Sequence, residues 1–206
     1  RDWSWSRGLG DVYKRHALES GVDATALYVD FPAIRMGVEM ALTSFAADAP
    51  FHLFDTPFSN GEQSISINGL VWMGSIDFMR QQVFDKIKEG YDCIKLKIGA
   101  LDFDLECRLL AEIRARYSSA EVTLRVDANG AFSPEEVLEK GERLSEFDVH
   151  SIEQPIAAGQ LEAMRKLCGQ TPIPIALDEE LIGVLDAADK AALLDEIEPQ
   201  YIILKP

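Results

Sequence analysis

The sequence predicts an α/β fold: a TIM-type parallel (β/α) barrel, incomplete in this chain, preceded by a partial α+β capping domain. Two observations support this prediction. From about residue 63 onward, strand-like apolar runs alternate with helical runs, and six strand-like runs are found. The strand-like runs also end on charged residues at intervals of 25 to 30 residues, which is the size of one βα unit. These residues are Lys97, Asp127, Glu153, Asp178 and Lys205.

The first part of the chain does not follow this alternation. Residues 1–62 are predicted to form the capping domain, and residues 63–206 the barrel domain that carries the site. A helix is expected over Ile34–Phe45, where apolar residues recur at helical spacing shortly after Pro32. Residues 49–61 are rich in Pro, Asp, Asn and Phe, which is typical of a loop at a domain boundary.

The barrel domain is predicted to alternate strands with helices. The predicted strands are Ser64–Met73, Cys93–Ile98, Val122–Asp127, His150–Glu153, Ile173–Asp178 and Tyr201–Lys205. The predicted helices lie near 77–89, 103–117, 134–146, 160–168 and 186–197. The third helix has the clearest start, because Ser133, Pro134 and Glu136 form a capping-box pattern. A closed barrel has eight strands and about 250 residues, so we expect two further barrel units and more of the capping domain outside this chain.

Composition and charge exclude several classes of partner. The formal net charge of −15 at pH 7 argues against nucleic acid and anionic membranes, since both attract basic surfaces. No apolar run in the sequence reaches the length of a transmembrane helix. The three cysteines are widely spaced and are expected to be reduced thiols. These features predict a cytoplasmic protein with a small-molecule partner, and they are compatible with a homo-oligomer.

The second predicted strand alternates lysines with apolar residues. Lys95 and Lys97 share one face, while Ile94, Leu96 and Ile98 share the other. The apolar face of a barrel strand packs on the outer helices, so both ammonium groups are expected to point into the barrel. Buried charge is costly unless it is paired or used. Taken alone, this run would equally suit an edge strand with two solvated lysines.

Three carboxylates follow at the ends of the next three predicted strands. Asp127, Glu153 and Asp178 are expected to lie in strand register, where they cannot all stay ionised without a counter-charge. A divalent cation bound through oxygen resolves this repulsion. With no His or Cys in the set, we expect Mg²⁺ rather than Zn²⁺, with Mn²⁺ as an alternative. A metal between Lys97 and Lys205 indicates proton abstraction next to the carboxylate of a small-molecule substrate.

The same residues resemble motifs of the enolase superfamily. Lys95-Leu96-Lys97 is similar to the KxK motif of its muconate-lactonizing-enzyme subgroup. The KxH motif and the later-strand His of the mandelate racemase subgroup are not found in the sequence. The resemblance covers residues 64–206 and, more weakly, Phe31–Phe45. The resemblance implies that the catalytic residues are Lys97, Lys205 and Lys95. It implies that the metal ligands are Asp127, Glu153 and Asp178, with Asn129 and Glu179 behind them.

Flanking stretches narrow the resemblance. Ser151–Ile156, Pro174–Leu181 and Leu204–Pro206 are similar to the o-succinylbenzoate synthase family within this subgroup. This implies a lyase that dehydrates 2-succinyl-6-hydroxy-2,4-cyclohexadiene-1-carboxylate to o-succinylbenzoate through an enolate, in menaquinone biosynthesis. Lys97 would then remove the α-proton, Lys205 would stabilise the intermediate, and Lys95 would orient and polarise the substrate.

Three alternatives stay open at this point. N-succinylamino acid racemases and dipeptide epimerases of the same subgroup keep these lysines and metal ligands, so Lys97 and Lys205 could act as bases on opposite faces of a substrate. A Schiff-base aldolase barrel would form an imine on one strand-end lysine and needs no carboxylate cluster. A non-catalytic barrel would keep the fold alone, and the intact set of charged residues argues against it.

Overall fold

The computed structural model describes residues 31–47 and 52–204, so the predicted site residue Lys205 lies outside them. The chain divides into two compact units between Ile65 and Ser66. In the first unit the described residues contain one helix, α1 (Pro32–Ala46), which confirms the predicted helix and begins with proline in its first turn. No strand is found in residues 31–47 and 52–65. The α+β character of the capping domain and the boundary after residue 62 therefore stay predictions.

The second unit alternates strands with helices. Its strands are β1 (Gly69–Val71), β2 (Cys93–Lys97), β3 (Thr123–Asp127), β4 (Val149–Glu153), β5 (Ile175–Leu177) and β6 (Tyr201–Ile202). Its helices are α2 (Ile76–Lys88), α3 (Phe103–Arg114), α4 (Pro134–Ser145), α5 (Leu161–Gln170) and α6 (Ala187–Ile197), with a 3₁₀ turn, Glu179–Leu181, after β5. The six strands form one parallel sheet in sequence order. This confirms the predicted (β/α) barrel architecture with six of its strands.

The core lies where the strands pack against the helices. In β2, Ile94 and Leu96 are fully buried, as are Leu124 and Val126 in β3. Burying an aliphatic side chain of this size contributes about 1.5–3 kcal/mol, so the apolar face of each strand turns toward the helices. The opposite face, which carries the charged residues, then points into the barrel.

The first strand is shorter than predicted. The sequence pattern suggested Ser64–Met73, whereas β1 contains only Gly69–Val71. Two contacts of Gln82 explain where it ends: its Oε1 accepts a hydrogen bond from the Trp72 main-chain N–H at 3.1 Å, and its Nε2 donates to the Trp72 carbonyl at 3.0 Å. The side chain of Gln82 thus takes both main-chain groups of Trp72 out of the sheet.

Arg114 joins the loops at the ends where the strands begin. Its Nε donates to the Phe147 carbonyl at 2.7 Å, and its Nη1 donates to the Val122 carbonyl at 2.8 Å. Longer contacts of 3.3 to 3.5 Å reach the carbonyls of Tyr117, Ser118 and Asp148. Arg114 therefore holds the segments that lead into β3 and β4, opposite the ends where the charged residues lie.

The described residues also bear on two expectations about chain type. No helix in residues 31–47 and 52–204 is both long and apolar enough to cross a membrane. The thiols of Cys93, Cys107 and Cys168 are all free, as predicted. Burial raises the pKa of the Cys168 thiol to about 11, which keeps it protonated at neutral pH.

Candidate active site

Three of the predicted site residues lie side by side at the C-terminal ends of β2, β3 and β4. Lys97 pairs with Asp127 in the strand register, and Asp127 pairs with Glu153. Each is the last residue of its strand, and both carboxylates are buried. The C-terminal ends of the strands are also where the active sites of (β/α) barrels form.

Both lysines of the second strand are bound to these carboxylates. Lys97 Nζ lies 2.6 Å from Asp127 Oδ2. Lys95 Nζ lies 2.7 Å from Glu153 Oε2 and 3.1 Å from Asp127 Oδ2. The side chain of Lys95 is only 15% exposed, and that of Lys97 only 14%. The prediction that both ammonium groups point inward and are paired is confirmed, and the solvated edge strand is ruled out.

The packed carboxyl groups change one another's protonation. Burial, the largest cause, raises the pKa of Glu153. The hydrogen bond from Lys95 acts to lower this pKa, whereas the neighbouring Asp127 acts to raise it, and the pKa of Glu153 is about 7. Burial also acts to raise the pKa of Asp127, but the hydrogen bonds from Lys97 and Glu153 and the charge of Lys95 outweigh it, so that pKa is lowered. Burial acts to lower the pKa of Lys95, but its bond to Glu153 and the charge of Asp127 raise it overall. With Lys95 bound to both carboxyl groups, the pKa of Glu153 therefore stays raised while that of Asp127 stays lowered.

Asp178 does not lie in the same row as the other two carboxylates. The β4–β5 register pairs Glu153 with Ala176, so Asp178 is two residues further along. Side chains alternate along a strand, so a shift of two residues keeps the same face but moves the side chain toward the barrel mouth. Asp178 is 2% exposed. The prediction of three carboxylates in strand register is therefore wrong for Asp178, because the register of β5 shifts the pairing.

Asn129 and Glu179 extend the cluster from Lys97. Asn129 Oδ1 accepts a hydrogen bond from Lys97 Nζ at 2.7 Å, and Asn129 Nδ2 donates to Glu179 Oε1 at 2.8 Å. The main-chain N–H of Asn129 donates to Asp127 Oδ1 at 3.1 Å. Among the described residues, the buried Oε2 of Glu179 has no hydrogen-bond partner. Asn129 thus holds Lys97 and Asp127 together, while Glu179 presents an unused acceptor.

The predicted metal ligands have the oxygen chemistry that a hard divalent cation prefers. In residues 31–47 and 52–204, no three His, Cys, Asp or Glu side chains converge closely enough to hold a metal ion. The predicted ligands Asp127, Glu153 and Asp178 are nevertheless buried oxygen donors at consecutive strand ends, the kind that Mg²⁺ uses. The buried Oε2 of Glu179, which has no hydrogen-bond partner among the described residues, is a further oxygen acceptor beside them. Their assignment as ligands stays a prediction, as do the roles of the lysines.

Sequence reasoning missed two functional candidates, Gln154 and Glu180. Both are buried, and Gln154 Nε2 donates to Glu180 Oε2 at 3.1 Å. The available signal was position: Gln154 directly follows Glu153, and Glu180 lies two residues after Asp178. A buried polar side chain is costly unless it is hydrogen-bonded, so the positions of Gln154 and Glu180 next to the cluster indicated that both form hydrogen bonds there.

A family model for the enolase C-terminal domain-like fold matches residues 79–194, more than half of the chain. The chain belongs to the enolase superfamily. This confirms the superfamily resemblance drawn from the KxK motif and the strand-end carboxylates. The superfamily's C-terminal domain is a (β/α) barrel, in agreement with the six-stranded parallel sheet.

Curated and solved proteins are similar to this chain in sequence and in fold. The chain is 53% identical over 176 residues to an o-succinylbenzoate synthase of Desulfotalea psychrophila, covering 85% of the chain and 48% of that enzyme. The crystal structure of MenC from Desulfotalea psychrophila LSv54 matches with a TM-score of 0.67 and 54% identity, covering 75% of this chain and 42% of that one. L-talarate dehydratase from Polaromonas sp. JS666, solved with Mg and L-glucarate, matches with a TM-score of 0.56 and 27% identity. The match covers 66% of this chain and 37% of that one. The chain spans about half, or less, of the length of these relatives.

Proposed function

We propose that the protein carrying this chain is an Mg²⁺-dependent o-succinylbenzoate synthase. It would remove water from 2-succinyl-6-hydroxy-2,4-cyclohexadiene-1-carboxylate to give o-succinylbenzoate, a step of menaquinone biosynthesis. The observation that carries the proposal is the pairing of Lys97 and Lys95 with buried strand-end carboxylates in a chain 53% identical to an enzyme of that name.

Lys97 is the proposed base. Asp127 Oδ2 at 2.6 Å and Asn129 Oδ1 at 2.7 Å hold its amine from two sides, so its direction relative to a bound substrate is restricted. Its nitrogen would accept the proton α to the ring carboxylate, and the electron pair of the broken C–H bond would enter the enolate. Loss of hydroxide from the ring then makes it aromatic. One proton and one hydroxide leave the substrate, which together make one water.

Asp127, Glu153 and Asp178 would hold the Mg²⁺ ion. Its chemistry, when bound, is a fixed positive charge beside the substrate carboxylate, where negative charge grows as the proton leaves. Lys95 donates to both Asp127 and Glu153, so it would orient these carboxylates as well as polarise the substrate. The role of Lys205 in stabilising the intermediate is supported by the family resemblance alone.

The test is formation of the aromatic product by the full-length protein. Wild type, Lys97→Ala and a surface control, Lys88→Ala at the end of α2, are incubated with the cyclohexadiene substrate, first with EDTA and then with Mg²⁺ restored. We expect Mg²⁺-dependent product from wild type and from the control, and a loss of about 10²–10⁴-fold with Lys97→Ala. Product absorbance gives the rate, and circular dichroism checks that the variants are folded.

Two results would overturn the proposal. Equal rates for Lys97→Ala and wild type would remove Lys97 as the base. Absence of product from wild type would remove the synthase activity. In that case, deuterium exchange at the α-carbon of N-succinylamino acids or dipeptides would indicate a racemase or epimerase with the same site, whereas borohydride trapping of an imine would indicate a Schiff-base mechanism.

A further inference from the structure

The side-chain amide of Gln154 is buried at the end of β4, directly after Glu153. Its Oε1 accepts hydrogen bonds from the main-chain N–H groups of Asp178 at 3.1 Å and Glu180 at 3.2 Å. Its Nε2 donates to the Ile156 carbonyl at 3.0 Å and to Glu180 Oε2 at 3.1 Å. Donors face the oxygen and acceptors face the nitrogen, so the surrounding groups determine the orientation of the amide.

This amide takes the place of a main-chain hydrogen bond between β4 and β5. The Gln154 N–H donates to the Ala176 carbonyl at 2.9 Å, so a continuing parallel ladder would bring the Asp178 N–H to the main-chain carbonyl of Gln154. Gln154 instead has a φ of 37°, and its carbonyl accepts from the Gly130 N–H at 2.7 Å. The side-chain oxygen binds the Asp178 N–H that the ladder no longer reaches.

Glu180 completes this arrangement from the β5 side. Its Oε2 accepts from Gln154, and its Oε1 accepts at 2.8 Å from the main-chain N–H of Gly159, in the loop between β4 and α5. The side chains of Gln154 and Glu180, together with the Gln154 carbonyl, therefore connect the loops that follow β3, β4 and β5. The first two loops begin directly after Asp127 and Glu153, and the third begins with Asp178 itself.

We propose that Gln154, oriented by Glu180, is a positioning residue that sets the separation between Glu153 and Asp178 and so makes the site competent for a divalent cation. The inference rests on the proposed function, which makes both carboxylates ligands. Among the described residues, the strand pairs of β5 end at Leu177, and Asp178 follows with φ −130° and ψ −79°, two residues beyond the row of Glu153. The hydrogen bond from its N–H to the Gln154 side chain, at 3.1 Å, ties the main chain of Asp178 to the end of β4.

The test is a titration of the full-length protein with Mn²⁺ in the absence of substrate, with free Mn²⁺ measured by electron paramagnetic resonance. Gln154→Leu nearly keeps the side-chain size and removes all four hydrogen bonds. Residues that support metal ligands typically change affinity by about 10–100-fold, so we expect the Kd for Mn²⁺ to rise by that factor. The kcat measured at saturating Mg²⁺ should recover toward the wild-type value, while the Mg²⁺ concentration needed rises.

Gln200→Leu is the matched control. The Gln200 amide also binds main-chain groups near β5, accepting from the Ile175 N–H at 2.9 Å and donating to the Cys168 carbonyl at 3.2 Å. These contacts lie at the start of the strand, away from the proposed ligands. Gln200→Leu is expected to lower the melting temperature and to leave the Kd for Mn²⁺ unchanged. Equal weakening of Mn²⁺ binding by the two variants would overturn the positioning role.

A reciprocal exchange keeps the test decisive should Gln154→Leu fail to fold. Gln154→Glu brings a second carboxylate against Glu180 and should weaken Mn²⁺ binding. Adding Glu180→Gln restores a donor–acceptor pair with its direction reversed, and the main-chain N–H groups keep their acceptors. The double variant is expected to bind Mn²⁺ more tightly than Gln154→Glu alone, and equal affinities would count against the proposal.

Failure of this inference can be told apart from failure of the proposed function. A wild type that binds Mn²⁺ but forms no aromatic product removes the synthase activity, and the ratio of variant affinities still decides the role of Gln154. A wild type that does not bind Mn²⁺ overturns both the metal ligands and the positioning role.

Discussion

The guanidinium of Arg114 provides a quantitative test of how this barrel unit is held together. Its two shortest hydrogen bonds, at 2.7 and 2.8 Å, reach the carbonyls of Phe147 and Val122 in two different loops. A hydrogen bond from a charged donor contributes about 1.5–3 kcal/mol. Arg114 is half-buried, and water can replace part of these bonds in a variant. We therefore expect Arg114→Met to lower the free energy of unfolding by about 3 kcal/mol, the lower end of the summed range.

Arg116, two residues later, supplies a matched control. Its guanidinium pairs with Glu112 at 3.0 Å in an exposed contact and lies over the ring of Phe84 at 4.3 Å. Exposed ion pairs and cation–π contacts contribute about 0.3–1 kcal/mol each, so Arg116→Met should cost about 1 kcal/mol. Arg114→Lys should fall between the two, because one ammonium cannot span carbonyls in two loops as the guanidinium fork does.

Urea denaturation of the full-length protein, followed by circular dichroism, measures all three variants. The midpoint should shift while the slope stays constant, which is the sign of a change in stability alone. Equal losses from Arg114→Met and Arg116→Met would refute the reasoning, since the carbonyl contacts would then contribute no more than a surface pair.

Two further predictions concern the turns that flank the strands. Gly130 and Gly90 both have positive φ, at 74° and 97°, but a Cβ on Gly130 would lie 2.9 Å from Ala157 Cα, whereas one on Gly90 meets nothing within 4 Å. Gly130→Ala should therefore lose about 1–3 kcal/mol more in urea unfolding than Gly90→Ala, and equal losses would contradict this. Glu136 accepts a hydrogen bond from the Ser133 main-chain N–H at 2.9 Å. This bond is the largest of the causes that lower the pKa of Glu136 from 4.5 to about 2. A lowered acid pKa stabilises the fold above the unfolded-state pKa, so the advantage of wild type over Glu136→Gln should disappear as pH falls from 5 to about 2; a difference that stays constant with pH would be the opposing result.

Local patterns were sufficient to predict most of the fold. The alternation in β2 predicted which side of the strand faces the helices, because burying Ile94 and Leu96 stabilises the fold by about 1.5–3 kcal/mol each. The start of α4 was also predictable, since Ser133 and Glu136 interact within a single turn. The end of β1 was not, because it depends on Gln82, ten residues away along the chain.

The candidate site was only partly accessible to the same reasoning. Charged residues spaced by one βα unit led to Lys97, Asp127 and Glu153, which the register brings into one row. The shift of Asp178 by two residues could not be foreseen, because strand ends mark positions along the chain and say little about pairing between strands.

From the sequence by itself came the parallel (β/α) order, the inward face of each strand and the kinds of charge at its end. These features depend on side-chain periodicity and on spacing along the chain, both of which are local. Only the tertiary structure decided that Lys95 binds two carboxylates at once, that Asp178 lies beyond the common row, and that the amide of Gln154 holds it there. Those outcomes depend on strand register and on where each ladder ends, which many residues distant in sequence set together through packing.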